Sequence, residues 1–144
     1  MRKSFHDTPV LDFSLRKFEK PSGNFDELLR KFCISTGLLQ PGDSRDIIID
    51  LLLLFIKAGK VKRFITINNI YKYLLDTGKP GVSQSNARRH LLRLKEFDFV
   101  EKTIEGYRLR EWLSIEELFK DFIKFKAEPT IERIIEYASL IDKQ

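Results

Sequence analysis

The sequence predicts a mainly α chain with a small β-hairpin, and three observations carry that prediction. Apolar residues recur at three- and four-residue spacing in six stretches, most of them bounded by a capping residue or a Gly/Pro turn. The clearest alternation of period two falls in residues 99–110, where Glu105-Gly106 interrupts it. The composition is globular, with 42% hydrophobic and 33% charged residues, 7 Gly and 5 Pro in 144 residues. That is about one domain, and it excludes collagen-like, low-complexity and disordered classes.

Taken in order, Val10, Leu11, Phe13, Leu15 and Phe18 alternate in part, as an edge strand or an arm packed on the body does, up to the break at Pro21-Ser22-Gly23. Asn24 is placed to cap a first helix carrying Phe25, Leu28, Leu29, Phe32 and Cys33, with Thr36-Gly37 as its stop. Pro41-Gly42-Asp43-Ser44 reads as a turn and cap before a helix over 45–58, ended by Gly59. That helix is apolar nearly all round and should be the most buried. The basic stretch Lys60-Val61-Lys62-Arg63 leads into a short β segment at 64–67, then a helix over 68–76 with Ile70, Tyr71 and Leu74 on one side. Residues 77–81 form a Gly/Pro turn.

Ser83 caps a helix over 83–97 whose Ala87, Leu91 and Leu94 face inward. Strands over 99–104 and 107–110 come next, with Val100, Lys102 and Ile104 sharing a face and Glu105-Gly106 as the tip. Ser114-Ile115-Glu116-Glu117 is a capping box for a helix to about 126. Pro129-Thr130 opens a last helix striped by Ile131, Ile134, Ile135, Ala138 and Ile141. Trp112, Phe119, Phe122 and Phe125 read as core or interface residues.

Net charge is +5 and unevenly spread: residues 1–110 hold 21 basic against 13 acidic residues, residues 111–144 five against eight. The positive field therefore belongs to the first three quarters of the chain. The longest apolar stretch, 47–56, is ten residues with Asp50 inside, whereas a spanning helix needs about 20. Met1-Arg2-Lys3 imitates the start of a signal peptide, but His6, Asp7 and Asp12 interrupt the residues up to Leu15, where an apolar run would have to lie. With the single Cys33 read as a small core residue, these features point to a reduced, cytoplasmic setting and no membrane. Abundant Ile, Leu, Lys and Glu with scarce Asn and Gln point to a heat-adapted, thermophilic source.

Helix, short β segment, helix, turn, helix, hairpin is the order of elements in a winged-helix domain. The stretch 82–102, VSQSNARRHLLRLKEFDFVEK, resembles a recognition helix running into the first wing strand of bacterial and archaeal transcriptional regulators, and Tyr107-Arg108-Leu109 resembles the returning strand. The resemblance covers roughly residues 44–112. It implies a winged helix-turn-helix with additional N- and C-terminal helices: an arm and helix over 1–43 packed on the core, and a helical extension over 113–144. Two positions depart from the family pattern. Asp98 stands where glycine commonly ends the recognition helix, and the wing tip is short and acidic.

The resemblance implies double-stranded DNA as partner, with the 83–97 helix in the major groove. Ser83, Gln84, Ser85 and Asn86 would lie at its tip. Arg89 is the leading base-reading candidate, followed by Gln84 and Ser85; Arg88, Arg93, Lys60, Lys62, Arg63 and Lys79 suit the phosphate backbone, and Arg108 and Arg110 could reach it from the strand. Ile131, Ile134, Ile135, Ala138 and Ile141 either pack on the body or form a homodimer contact that sets two recognition helices about 34 Å apart. The competing reading keeps the fold as a protein-interaction module in a replication, segregation or transcription assembly; Glu96 and Glu105 favour it. RNA binding is a third. No enzyme is expected. Two histidines, His6 and His90, with one cysteine make no metal-ligand spacing, and phosphate loops and nucleophile elbows are absent, so neither metal nor cofactor is implied.

Overall fold

The computed structural model describes residues 12–39 and 46–144. The 41–44 turn, the helix start at Arg45 and the Val10-Leu11 part of the arm lie outside the described residues. The chain is mainly helical with one two-stranded antiparallel sheet. Six α-helices are described: α1 (Phe25–Thr36), α2 (Ile47–Lys60), α3 (Ile67–Asp76), α4 (Gln84–Glu96), α5 (Ile115–Phe122) and α6 (Glu128–Asp142), with strands β1 (Val100–Thr103) and β2 (Gly106–Leu109) between α4 and α5.

Local chemistry sets most boundaries. Asn24, Thr66, Ser83 and Ser114 each accept a backbone N–H from three residues ahead, satisfying donors that a helix start leaves orphaned. Ser114 and Glu117 complete a reciprocal capping box. Gly37 ends α1 in the left-handed conformation at φ +85.

α2 is the central helix. Ile48, Leu51, Leu52 and Phe55 are wholly buried, and α1, α3, α4 and β2 all pack on it. One core runs from Leu29 and Cys33 of α1 through Phe55, Leu74 and Leu94 to Leu118 and Phe122 of α5. Phenylalanine rings fill the side next to α5. Phe97 stacks on Phe122 at 5.0 Å, Phe32 lies 6.1 Å from Phe99, and Phe119 meets Phe32 edge-on at 5.9 Å.

Several expectations are corrected. Gly59 does not end α2; it lies inside the helix, with space for a Cβ 3.5 Å from Leu109, and α2 continues to Lys60. The chain turns instead at Lys62, which takes φ +51. The short β segment shrinks to one bridge, in which Ile65 and Tyr107 exchange backbone hydrogen bonds of 2.9 and 2.8 Å. The hairpin tip is Ile104-Glu105, because Thr103 pairs with Gly106. Ile104 and Lys102 therefore point to solvent while Val100 is buried. Phe125 is exposed too, unlike Phe119 and Phe122.

The last two helices are not separated at Pro129. A π-helical turn at Ile123–Ala127 joins them, with the Glu128 N–H reaching back five residues to the Ile123 carbonyl. Widening the helix here accommodates a proline that brings no N–H and would crowd the carbonyl four residues earlier. The Thr130 hydroxyl donates to the Lys126 carbonyl at 2.7 Å. Among the described residues, no helix is long and apolar enough to cross a membrane.

Candidate nucleic-acid interface

Helical geometry divides α4 into two faces. At 100° per residue, Gln84, Ser85, Arg88, Arg89, Leu92, Lys95 and Glu96 fall on one arc, and all seven are exposed. Ala87, His90, Leu91 and Leu94 fall on the other and are buried. His90 is thus a core residue with only 3% exposure.

The outer face carries three cations against the single Glu96. Arg88, Arg89 and Lys95 form no ion pair among the described residues. Their guanidinium and ammonium groups are therefore free to meet an external anion. Lys60, Lys62 and Arg63 are exposed and equally unengaged among the described residues, in the turn that leads to Phe64.

Other expected contacts are engaged inside the fold. Ser83 is the N-cap, accepting the Asn86 N–H at 3.1 Å. The Asn86 side chain donates to the Gly81 carbonyl at 2.6 Å and closes the turn before α4. Arg93 donates to the Leu38 carbonyl at 2.7 Å, tying α4 to the loop after α1. Lys79 pairs with Asp50 of α2 at 2.8 Å. These are long-range or turn-closing bonds, so each side chain is held away from a partner.

The hairpin arginines are held more firmly. Arg108 pairs with its cross-strand neighbour Glu101 at 2.7 Å and lies over the rings of Phe64 and Trp112, 5.4 and 5.0 Å from their centroids. Burial pushes the Glu101 carboxyl up, but the Glu111 N–H and the Arg108 guanidinium outweigh it and hold the group below its ordinary value. Arg110 uses all three nitrogens: Nε on the Asp98 carbonyl at 3.0 Å, Nη1 on Glu111 and Nη2 on Asp121, both at 2.8 Å. Asp98 adopts φ +59, the left-handed conformation expected of the residue that ends α4, and its carboxylate pairs with Lys126 at 3.1 Å.

Leu92 and Lys95 escaped the sequence reading of this face. Leu92 is 54% exposed beside Arg89, and the same helical wheel that places Arg89 would have placed it. The α6 stripe is not packed on the body: Ile131, Ile134, Ile135 and Ile141 are 48–70% exposed, and no residue of α6 is buried. No grouping of three His, Cys, Asp or Glu suited to a metal occurs among the described residues. No family model, curated protein or solved structure matches the chain.

Proposed function

We propose that this is a cytoplasmic winged helix-turn-helix protein that binds double-stranded DNA through α4 and acts as a transcriptional regulator. The observation that carries the reading is the outer face of α4, where polar Gln84 and Ser85 at the N-terminal end precede Arg88 and Arg89, both without a partner among the described residues. A helix entering the major groove needs short polar groups at its leading end and cations that can fork onto guanine or phosphate. The order α2, Ile65 bridge, α3, α4, hairpin supports the same reading. Lys60, Lys62 and Arg63 supply further phosphate contacts. The hairpin contributes little, since Arg108 and Arg110 are engaged and its tip carries Glu105. Pairing of two chains through the exposed α6 stripe would present two copies of α4 to adjacent half-sites.

Fluorescence anisotropy of a labelled random duplex, repeated from low to physiological salt, tests this. Micromolar binding that falls steeply with salt is expected, because each cation that meets a phosphate releases a counterion. No binding at low salt overturns the proposal. Matched RNA is the control, and tighter binding to it would redirect the reading to RNA. One observation favours a second reading as a protein-interaction module: Leu92 and the fully exposed Ile104 are apolar groups on surfaces that a purely phosphate-facing protein would keep polar. Duplex binding indifferent to Arg89→Glu would favour that alternative.

A further inference from the structure

We propose that the cleft between the 12–22 arm, α1 and α5 binds an uncharged aromatic small molecule. The cleft has a volume of about 870 Å³, within the range of sites that take drug-sized ligands. Its walls are rings. Phe13 packs against Phe119 at 5.8 Å and 53°, and Phe32 against Phe119 at 76°, so the three rings form one continuous aromatic wall of the cleft on which a planar guest can lie. Leu15 and Leu28 line it further and remain 55% and 41% exposed. This is apolar surface that a planar guest would remove from water.

Charge at the rim argues for a neutral guest. Glu19 and Lys31 neutralise each other at 2.9 Å, and the remaining rim charges, Lys20 and Glu27, are one of each sign. An ion would find no net field to compensate its lost hydration. Polar complementarity is available from Ser22 and Ser35, whose hydroxyls make no hydrogen bond among the described residues. They suit a ligand with one or two hydroxyl or carbonyl groups. The arm is held over the cleft by the Ser14 N–H on the Ser35 carbonyl at 3.0 Å and by the Glu19–Lys31 pair. No residue of α4 lines the cleft, so the site is independent of the DNA reading.

The test is a titration of the full chain with N-phenyl-1-naphthylamine, a neutral aromatic dye that brightens in apolar surroundings. A single saturable site is expected. Leu28→Lys, at an exposed lining position, should weaken it about tenfold or more with unchanged far-UV circular dichroism. Leu15→Ser, at a more exposed position still, should weaken it several-fold and decides the matter if the first variant fails to fold. An Ile134→Ser/Ile141→Ser chain should bind as the parent does, because its changes lie on α6. Anilinonaphthalene sulfonate, which adds a negative charge to a similar ring system, should bind less tightly. No saturable signal, retained affinity in the lining variants, loss confined to the α6 variant, or preference for the sulfonate would each overturn the proposal. The assay holds no DNA, so its failure and a failure of duplex binding are separate results.

Discussion

Replacing Gly106 with alanine probes the closure of the hairpin onto the Ile65 segment. Gly106 holds φ +138, and a Cβ there would stand 2.8 Å from the Ile65 carbonyl oxygen and 3.0 Å from its carbon. Both atoms are backbone, so the clash is relieved only if the Ile65–Tyr107 pair moves apart, at the expense of hydrogen bonds of 2.9 and 2.8 Å. Strained backbone costs about 1–3 kcal/mol, and each hydrogen bond contributes about 0.5–1.5 kcal/mol. Together these give a loss of about 2–6 kcal/mol, or a fall in Tm of roughly 7–20 °C for a chain of this size. Gly78→Ala is the matched control. Its φ is +71 with nothing within 4 Å, so it carries backbone strain alone, about 1–2 kcal/mol. Urea melts followed by far-UV circular dichroism compare the two. A Gly106→Ala loss no larger than that of Gly78→Ala would refute the close approach.

Three further outcomes are expected. Glu101 is held below its ordinary pKa, so its contribution is present above the unfolded carboxylate value of about 4.3 and is lost as pH falls through the folded one; stability measured from pH 6 to 3 should therefore decline less in Glu101→Gln than in the parent. Cys33 is fully buried, and burial pushes its thiol up to about 12. Ellman's reagent at pH 8 should leave it untouched in the folded chain and titrate one thiol in denaturant. If α6 pairs two chains, light scattering at micromolar protein should give a dimer mass for the parent and a monomer mass for Ile134→Ser/Ile141→Ser; a monomeric parent removes the dimer.

What could be read in the sequence was local. Asn24, Ser83 and the Ser114–Glu117 box mark helix starts because a cap acts within three residues. The buried stripe of α4 comes from spacing alone. Glycine misled at Gly59, which sits inside α2 with room for a Cβ, while the turn falls to Lys62. Proline misled at Pro129, because a π-helical turn absorbs it.

The candidate interface was legible for side chains that have no partner and illegible for those that do. Arg88 and Arg93 look alike in sequence, but Arg93 finds a carbonyl 55 positions away, at Leu38. Lys79 and Arg108 are likewise claimed by Asp50 and Glu101, acceptors that only the fold brings near. Leu92 differs, since its place beside Arg89 is set by the helical repeat and needed no long-range information.

The central claim is that α4 carries duplex binding, and the direct comparison is Arg89→Glu against Lys120→Glu in the anisotropy assay at one low salt concentration. Both substitutions change net charge equally, but Lys120 lies on α5, 72% exposed and paired with Glu116 one turn away. Loss of about tenfold or more for Arg89→Glu, with a change under about twofold for Lys120→Glu, is the expected result. Equal losses would mean that binding tracks total charge, and no loss for Arg89→Glu would contradict the account.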